Sequence, residues 1–347
     1  MKTDTIAITI DGLKIEAKKG ASVLDIALEN GIYIPHLCHH PDLVPMGICR
    51  LCLVEFDGKW MGISCKMPAK DGMVVKTNTP EIQSARKIAV ELIIANHPLN
   101  CLSCAKDTTC QLQRAANFIG IEDSRMKRMR RDVKVIPKDE SNPFFVRDLS
   151  KCVLCGICIR TCDEIVGVNA IDFAGRGVNS VVATLANKPI AESNCVSCGE
   201  CVARCPVGAL VPKKHEPPAR EVKTVCTYCG VGCNLYLGVR GDEIVGVRGA
   251  REAETNHGNL CVKGRYGYEF VNHPDRLKKP LVRKDGELVE TEWDEALDMV
   301  AQKFSTRKGD EFAFLSSARC SNEENYLAQK FTRAVMGTHN IDHCARL

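Results

Sequence analysis

Twenty-one cysteines in 347 residues constrain this chain more than any other feature of its sequence. Disulfides belong to oxidising compartments, and a cytosolic chain of this size does not keep so many cysteines for that purpose. Met1 to Gly12 alternates like a strand, with an acidic residue at Asp4, and does not read as a signal peptide. The longest apolar stretches fall short of a membrane span. The cysteines are therefore expected to be metal ligands in a cytoplasmic protein. Lys and Arg number 47 against 43 Asp and Glu, which argues against a dedicated nucleic-acid binder with its basic stripe. Aromatics, at 5%, are too few for base-stacking platforms. The length predicts two or more domains.

Apolar patterning predicts an α+β multidomain chain. Ile6, Ile8 and Ile10 alternate, Asp11-Gly12 supplies a hairpin turn, and Leu13, Ile15 and Ala17 alternate back. Ser22 with Asp25 three residues on reads as a capping box, and Gly31 closes that helix. Hairpin, helix and then a cysteine loop is the order of a small β-grasp ferredoxin. Pro80 opens a second helix, with Ile82, Ala85, Ala89, Leu92 and Ile93 as its apolar face up to His97. Arg125, Lys127, Arg128, Arg130 and Arg131 make residues 121–140 a basic linker or solvated helix face. Two cysteine-dense blocks at 152–162 and 195–205 form an internal repeat. Pro212, Lys213, Lys214, Pro217 and Pro218 mark a linker. Strands are expected at Leu235, Leu237 and Val239 and at Ile244, Val245 and Val247 within a Gly-rich module. Beyond Pro280 the pattern turns to α/β: a helix over Trp293–Phe304, a buried strand over Phe312–Leu315 and a helix over Glu323–Met336.

Spacing sorts nineteen cysteines and one histidine into five sets. Cys38, Cys49, Cys52 and Cys65 run C-x10-C-x2-C-x12-C. The two cysteines three apart are expected on one iron and the outer pair on a second, with zinc as the alternative. This departs from the plant-type spacing at its first gap. The looser gap resembles the [2Fe–2S] domain that opens the largest hydrophilic subunit of respiratory complex I. His97, Cys101, Cys104 and Cys110 follow as H-x3-C-x2-C-x5-C, a pattern that the same subunit family carries for a His-ligated [4Fe–4S] cluster. Cys152, Cys155, Cys158 and Cys162 run C-x2-C-x2-C-x3-C, and Cys195, Cys198, Cys201 and Cys205 repeat it, ending in Pro206. This is the bacterial two-cluster ferredoxin motif, in which the fourth cysteine of each run serves the other cluster. It assigns Cys152, Cys155, Cys158 and Cys205 to one [4Fe–4S] cluster, and Cys162, Cys195, Cys198 and Cys201 to the other. Asp163 stands where a proline is usual in the first run. Cys226, Cys229, Cys233 and Cys261 make the fifth set, which by spacing alone is also compatible with a zinc ribbon. Cys320 and Cys344 have no partner at ligand spacing and are expected to be buried thiols.

The words around the fifth set, Cys226-Thr-Tyr-Cys229-Gly-Val-Gly-Cys233 and Cys261-Val-Lys263-Gly-Arg265, resemble the N-terminal [4Fe–4S] domain of molybdopterin oxidoreductases. In that family the lysine two residues after the last cysteine lies between cluster and pterin, which implies a possible electron-relay role for Lys263; a surface lysine is the plain alternative. The whole chain resembles the N-terminal part of the alpha, catalytic subunit of NAD(P)-linked molybdenum- or tungsten-dependent formate dehydrogenases. Its front half is similar to complex I and to iron-only hydrogenases. Ser317-Ala-Arg-Cys320-Ser-Asn-Glu-Glu-Asn-Tyr326 and Asn340-Ile-Asp-His-Cys344-Ala-Arg-Leu347 are similar to the formate dehydrogenase run just ahead of its metal ligand. The resemblance implies a [2Fe–2S] ferredoxin-like domain over 1–78 and a helical domain over 79–120 with a cluster held by one His and three Cys. A two-cluster domain over 141–212, a molybdopterin oxidoreductase [4Fe–4S] domain over 219–275 and the start of a pterin-binding α/β domain over 276–347 follow.

What the resemblance implies is oxidation of formate to carbon dioxide at a molybdenum or tungsten bis(molybdopterin guanine dinucleotide). Electrons pass through one [2Fe–2S] and four [4Fe–4S] clusters to a flavin- and NAD(P)-binding iron–sulfur subunit, with ferredoxin or a hydrogenase as further partners. Gly230-Val-Gly232 is a cluster loop and not a dinucleotide fingerprint, so another subunit is expected to bind nicotinamide. No catalytic residue lies within the chain; the metal ligand is expected just after Leu347, so this polypeptide alone is predicted inactive toward formate. In the family that ligand is Cys or selenocysteine, and a misread UGA codon after Leu347 is the expectation. The alternative is a stand-alone electron-carrier subunit with no bond chemistry of its own.

Overall fold

The computed structural model describes residues 5–122, 125, 136–214 and 216–344. Asp4, Lys127, Arg128, Arg130, Arg131 and Ala345 to Leu347 lie outside the described residues. The chain divides into two compact units, Met1–His215 and Glu216–Leu347.

The first unit opens with a five-stranded sheet. β1 (Thr5–Ile10) and β2 (Leu13–Lys18) form the hairpin, β3 (Leu53–Phe56) and β4 (Trp60–Ile63) a second one, and β5 (Val74–Lys76) completes the order β2-β1-β5-β3-β4. β5 runs parallel to β1 and antiparallel to β3, joining the two hairpins. Alternation puts Ile6, Ile8 and Ile10 on the inner face, against Val54, Phe56 and Val75 and against Val23, Leu24 and Ile26 of helix α1 (Val23–Glu29). Each such side chain contributes about 1.5–3 kcal/mol by leaving water. Ser22 caps α1 by accepting from the Asp25 amide. The expected box is only half made, because the Asp25 carboxylate turns to the Ser22 hydroxyl and to His39.

Helix α2 (Pro80–Ala95) begins at the Thr79 cap with proline in its first turn. Its buried residues are Ile82, Arg86, Val90, Glu91, Ile94 and Ala95, while Leu92 is exposed. The apolar face is thus rotated from the expected one, and it carries an arginine and a glutamate into the interior. Glu91 is fully buried and meets Arg125 at 2.7 Å, so part of the basic stretch serves a buried carboxylate. Helix α3 (Gln111–Ile119) packs on α2 through Leu112 and Ala115.

The cysteine repeat folds as two copies of one local structure. Leu154 and Ser197 both have positive φ, 54° and 56°, and Gly156 and Gly199 follow at 70° and 74°. Glycine is suited to that backbone because it has no Cβ. Each copy then enters a short helix, Ile157–Arg160 and Glu200–Arg204. β6 (Phe145–Arg147) pairs with β9 (Leu210–Pro212), and β7 (Asp172–Ala174) with β8 (Val181–Ala183). Pro212 therefore ends a strand instead of starting the linker. It tolerates that place because it is the terminal residue of a two-stranded pair.

In the second unit β10 (Arg220–Val225), β11 (Asn234–Arg240) and β12 (Glu243–Gly249) form an antiparallel meander that frames the fifth cysteine set. β13 (Leu281–Lys284) and β14 (Glu287–Glu290) make a hairpin, and β15 (Phe314–Ser316) pairs in parallel with β16 (Ile341–His343). Helices span Trp293–Ser305 and Asn322–Lys330, the latter with a complete capping box at Ser321 and Glu324. The strand expected to be buried is only partly so: Phe312 is covered, but Leu315 is 84% exposed. The strand also begins two residues later than expected, at Phe314, and burial needs a second layer over that face. Among the described residues no helix is long and apolar enough to cross a membrane.

Candidate metal centres

The first set sits on the loop between α1 and β3 and on the turn after β4. The Cys38 and Cys49 sulfurs are 3.4 Å apart and share a hydrogen bond, as do Cys52 and Cys65. The thiols therefore pair as Cys38 with Cys49 and Cys52 with Cys65. The spacing grouped Cys49 with Cys52; the backbone between those two turns at Arg50, in a left-handed conformation. The hydrogen bond between Cys38 and Cys49 lowers the Cys38 thiol and raises Cys49, and the one between Cys52 and Cys65 lowers Cys52 and raises Cys65. The Leu37 amide donates to Cys49 and the Cys49 amide to Cys38, each at 3.4 Å. Such donors favour the anionic sulfur.

His97 follows the end of α2, and burial lowers its pKa, so the ring is neutral at pH 7. Its Nε2 is buried and has no hydrogen-bond partner. A neutral imidazole with an orphaned nitrogen is what a metal requires of a histidine ligand. Cys101 and Cys104 lie on one 3-10 turn, and Cys110 stands at the N-cap of α3, where burial raises its thiol and the Gln113 and Leu112 amides pull it back only in part. A Cβ built on Gly208 would stand 2.5 Å from the Cys104 sulfur, so only glycine allows this approach.

The two ferredoxin runs surround two apolar cavities. One is lined by Cys152, Cys155, Cys158 and Cys205, with Val207 and Leu210 among the apolar walls. The other is lined by Cys162, Cys195, Cys198 and Cys201, with Phe145 and Ile190. Each cavity thus receives three sulfurs from one run and one from the other. Leu154 and Ser197 donate backbone N–H to the Cys152 and Cys195 sulfurs at 3.4 Å, and Ala170 to Cys162 at 3.3 Å. Burial pushes Cys152 up to about 11, and raises Cys155, Cys158, Cys201 and Cys205. Thiols this reluctant to ionise become thiolates when a bound cation supplies the charge, with release of protons. Among the described residues no three His, Cys, Asp or Glu side chains stand close enough to grip a single ion.

The fifth set is more open. Cys226 and Cys233 close the loop between β10 and β11, the Cys226 amide donating to the Cys233 carbonyl at 2.8 Å. Cys229 and Cys261 are exposed. Cys261 caps the helix Val262–Tyr266, which carries Lys263 on its exposed side; Gly264 faces the Cys226 sulfur. Cys320 and Cys344 are both exposed, contrary to expectation. An apolar thiol is buried only where another layer covers it, and the β15–β16 pair has its edge in solvent.

Two residues near the first set escaped the sequence reading. Arg86 occupies a core position of α2, four residues from both Ile82 and Val90, and Arg160 lies two residues from both Cys158 and Cys162. A cation on an apolar stripe, or inside a ligand run, was the available signal.

Five families match successive segments. They are the 2Fe-2S iron-sulfur cluster binding domain at 3–80 and the NADH-ubiquinone oxidoreductase-G iron-sulfur binding region at 86–125. The 4Fe-4S dicluster domain follows at 151–209, the molybdopterin oxidoreductase Fe4S4 domain at 219–273 and the molybdopterin oxidoreductase domain at 276–347. The chain is 36% identical over 98% of its length to an NADH-quinone oxidoreductase subunit of Rhizobium meliloti, covering 40% of that protein. It is 32% identical over 100% of its length to "Putative formate dehydrogenase YrhE" of Bacillus subtilis, again covering 40%. The chain thus spans about 40% of the length of the curated relatives it matches. Among solved structures, a chain of the NAD+-reducing [NiFe]-hydrogenase in its H2-reduced state is 31% identical with a TM-score of 0.55, over 60% of this chain and 87% of that one. The chain thus carries [2Fe–2S] and [4Fe–4S] iron–sulfur domains, followed by segments that match the Fe4S4 and molybdopterin domains of molybdopterin oxidoreductases.

Proposed function

We propose that the chain holds one [2Fe–2S] and four [4Fe–4S] clusters and carries electrons for a cytoplasmic enzyme that oxidises formate at a molybdenum or tungsten bis-pterin site. The observation that carries the cluster reading is the crossed grouping of the ferredoxin sulfurs around two neighbouring cavities. Bound clusters supply one-electron carriers whose potentials follow charge, hydrogen bonding and solvent access. The chain's own residues keep the sets adjacent. Cys38 packs against Cys155 and Ile157, joining the first set to the third. Gly208, between two residues that line the third set's cavity, meets Cys104 of the second. The third and fourth sets share their two runs. Lys263 is the proposed relay residue between the fifth set and the pterin.

The likeness to the Bacillus subtilis protein over the whole chain, with the run Ser317–Tyr326, supports formate as the substrate. The electron acceptor is a flavin- and NAD(P)-binding iron–sulfur partner, with ferredoxin or a hydrogenase as further partners. A second reading, an electron-carrying subunit of a nicotinamide-linked complex without formate chemistry, is favoured by the likeness to the Rhizobium meliloti protein and to the hydrogenase. Iron analysis with low-temperature EPR on the anaerobic protein tests the clusters: about 18 irons per chain are expected, and His97→Ala should alter one [4Fe–4S] signal alone. Stoichiometric zinc in place of iron defeats the reading. Formate-dependent viologen or NAD(P)+ reduction by the complete complex separates the two functions. Cluster reduction by NAD(P)H without formate turnover would favour the second.

A further inference from the structure

Among its described residues the first unit buries four arginines near its cysteine sets, and they are not alike. Arg147, between the two ferredoxin cavities, pairs with Asp139 at 3.0 Å. Arg204 pairs with Glu200 and, at 2.9 Å, with Asp42. These two guanidiniums are balanced by carboxylates. Among the described residues Arg86 and Arg160 form no salt bridge, although they are only 2% and 5% exposed.

Arg86 donates to the Leu53 carbonyl, the residue after Cys52, and its Nε has no partner. Among the described residues it forms no salt bridge. Asp11 attracts it from farther away, but that carboxylate is occupied by the amide and hydroxyl of Thr77. Burial pulls the Arg86 guanidinium down to about 10, and Cys52 is the first of the groups that pull it back, ahead of Asp11 and Tyr33. Arg160 donates to the carbonyl of Cys38 itself and to that of Val44, both at 2.6 Å, and its Nε is likewise without a partner. The two cations therefore flank the two sulfur pairs of the first set, Arg86 beside Cys52 and Arg160 beside Cys38. They come from different elements, one from α2 and one from within the first ferredoxin run.

A buried cation with only carbonyl partners is costly unless a counter-charge is present. Two ferric irons, two sulfides and four thiolates leave two negative charges, and three after one-electron reduction. We propose that Arg86 and Arg160 are the built-in counter-cations of the first cluster, which hold its potential above the value its four thiolates alone would give. A fixed positive charge favours the form with the extra electron, so each arginine stabilises the reduced state more than the oxidised one. Both act as positioning and field residues and ligate nothing. Because both are delivered by neighbouring domains, the potential of the first cluster depends on how those domains pack against its loop.

This inference rests on the first set holding a [2Fe–2S] cluster. An EPR-monitored redox titration of the anaerobic chain tests it. If the unaltered protein lacks a [2Fe–2S] signal, the functional reading fails. Given that signal, Arg86→Gln should lower the ratio of reduced to oxidised cluster at fixed potential about tenfold, equivalent to about 59 mV for one electron. Arg160→Gln should act in the same direction, while Arg86→Lys and Arg160→Lys stay within about threefold of the unaltered ratio, about 28 mV on the same conversion. Signals of the second cysteine set should not move in either Arg86 variant. Glutamine variants that load the cluster and titrate unchanged would overturn the proposal. If the glutamine variants fail to load it, the lysine variants decide: they must load the cluster near its original potential, and their failure also overturns the idea.

Discussion

The ferredoxin runs and the fifth cysteine set use nearly the same short spacings, yet the molecule treats them differently. None of the eight ferredoxin cysteines is exposed, and their sulfurs receive backbone N–H donors from Leu154, Ala170 and Ser197. In the fifth set Cys229 and Cys261 are exposed, and a three-stranded meander supplies one wall. Spacing thus marks the candidate ligands, whereas the surrounding layers decide how much solvent reaches them. Solvent access and hydrogen bonds to sulfur are the levers on cluster potential, so like motifs here should behave unlike one another.

The largest expected effect tests the crossing of the two runs. Cys205→Ser should remove or convert the cluster that Cys152, Cys155 and Cys158 hold, and Cys162→Ser the other one, a change of up to about four irons each. Both serine variants perturbing the same EPR signal would show that the runs do not cross. Second in size is the contrast in lability. A ferrous chelator should strip the fifth set about tenfold faster than the ferredoxin pair, since exposed segments open at lower free energy. Equal rates, followed by the loss of separate signals, would remove the distinction drawn from burial.

Gly208→Ala probes how tightly the second and third sets are packed. Its Cβ would overlap the Cys104 sulfur, and overpacking of this kind costs about 1–3 kcal/mol. Denaturant unfolding of the anaerobic protein measures it, and a midpoint unchanged from the parent would mean the loop yields freely. The smallest effect belongs to the exposed thiols outside the sets. Cys320→Ser and Cys344→Ser should leave iron content unchanged, and both side chains should react with a maleimide in the intact protein. Loss of a cluster in either variant would mean the ligand sets are drawn wrongly.

Much of this molecule is legible in its sequence because its strongest signals are local. The hairpin at Asp11-Gly12, the Ser22 cap, the Pro80 helix start and the ferredoxin repeat each depend on residues a few positions apart. The metal sets are equally local in spacing, so composition and short motifs point to them directly. The rotated face of α2 was harder to read. Arg86 and Glu91 share one face with Ile82 and Val90 only because partners far along the chain, the first cysteine set and Arg125, receive them. The thiol hydrogen bonds of the first set, Cys38 with Cys49 and Cys52 with Cys65, are likewise contained in no spacing rule.

The sequence by itself marked out the candidate ligand sets, the order of the modules and many of the helices and strands. Those follow from short-range sterics, capping and the two hydrophobic periods. Only the tertiary structure decided which thiols are buried, which sulfurs face each other, and that among the described residues Arg86 and Arg160 form no salt bridge beside the first set. Burial and charge pairing are set by groups remote in sequence, and a buried charge acquires its meaning from whatever the fold places next to it.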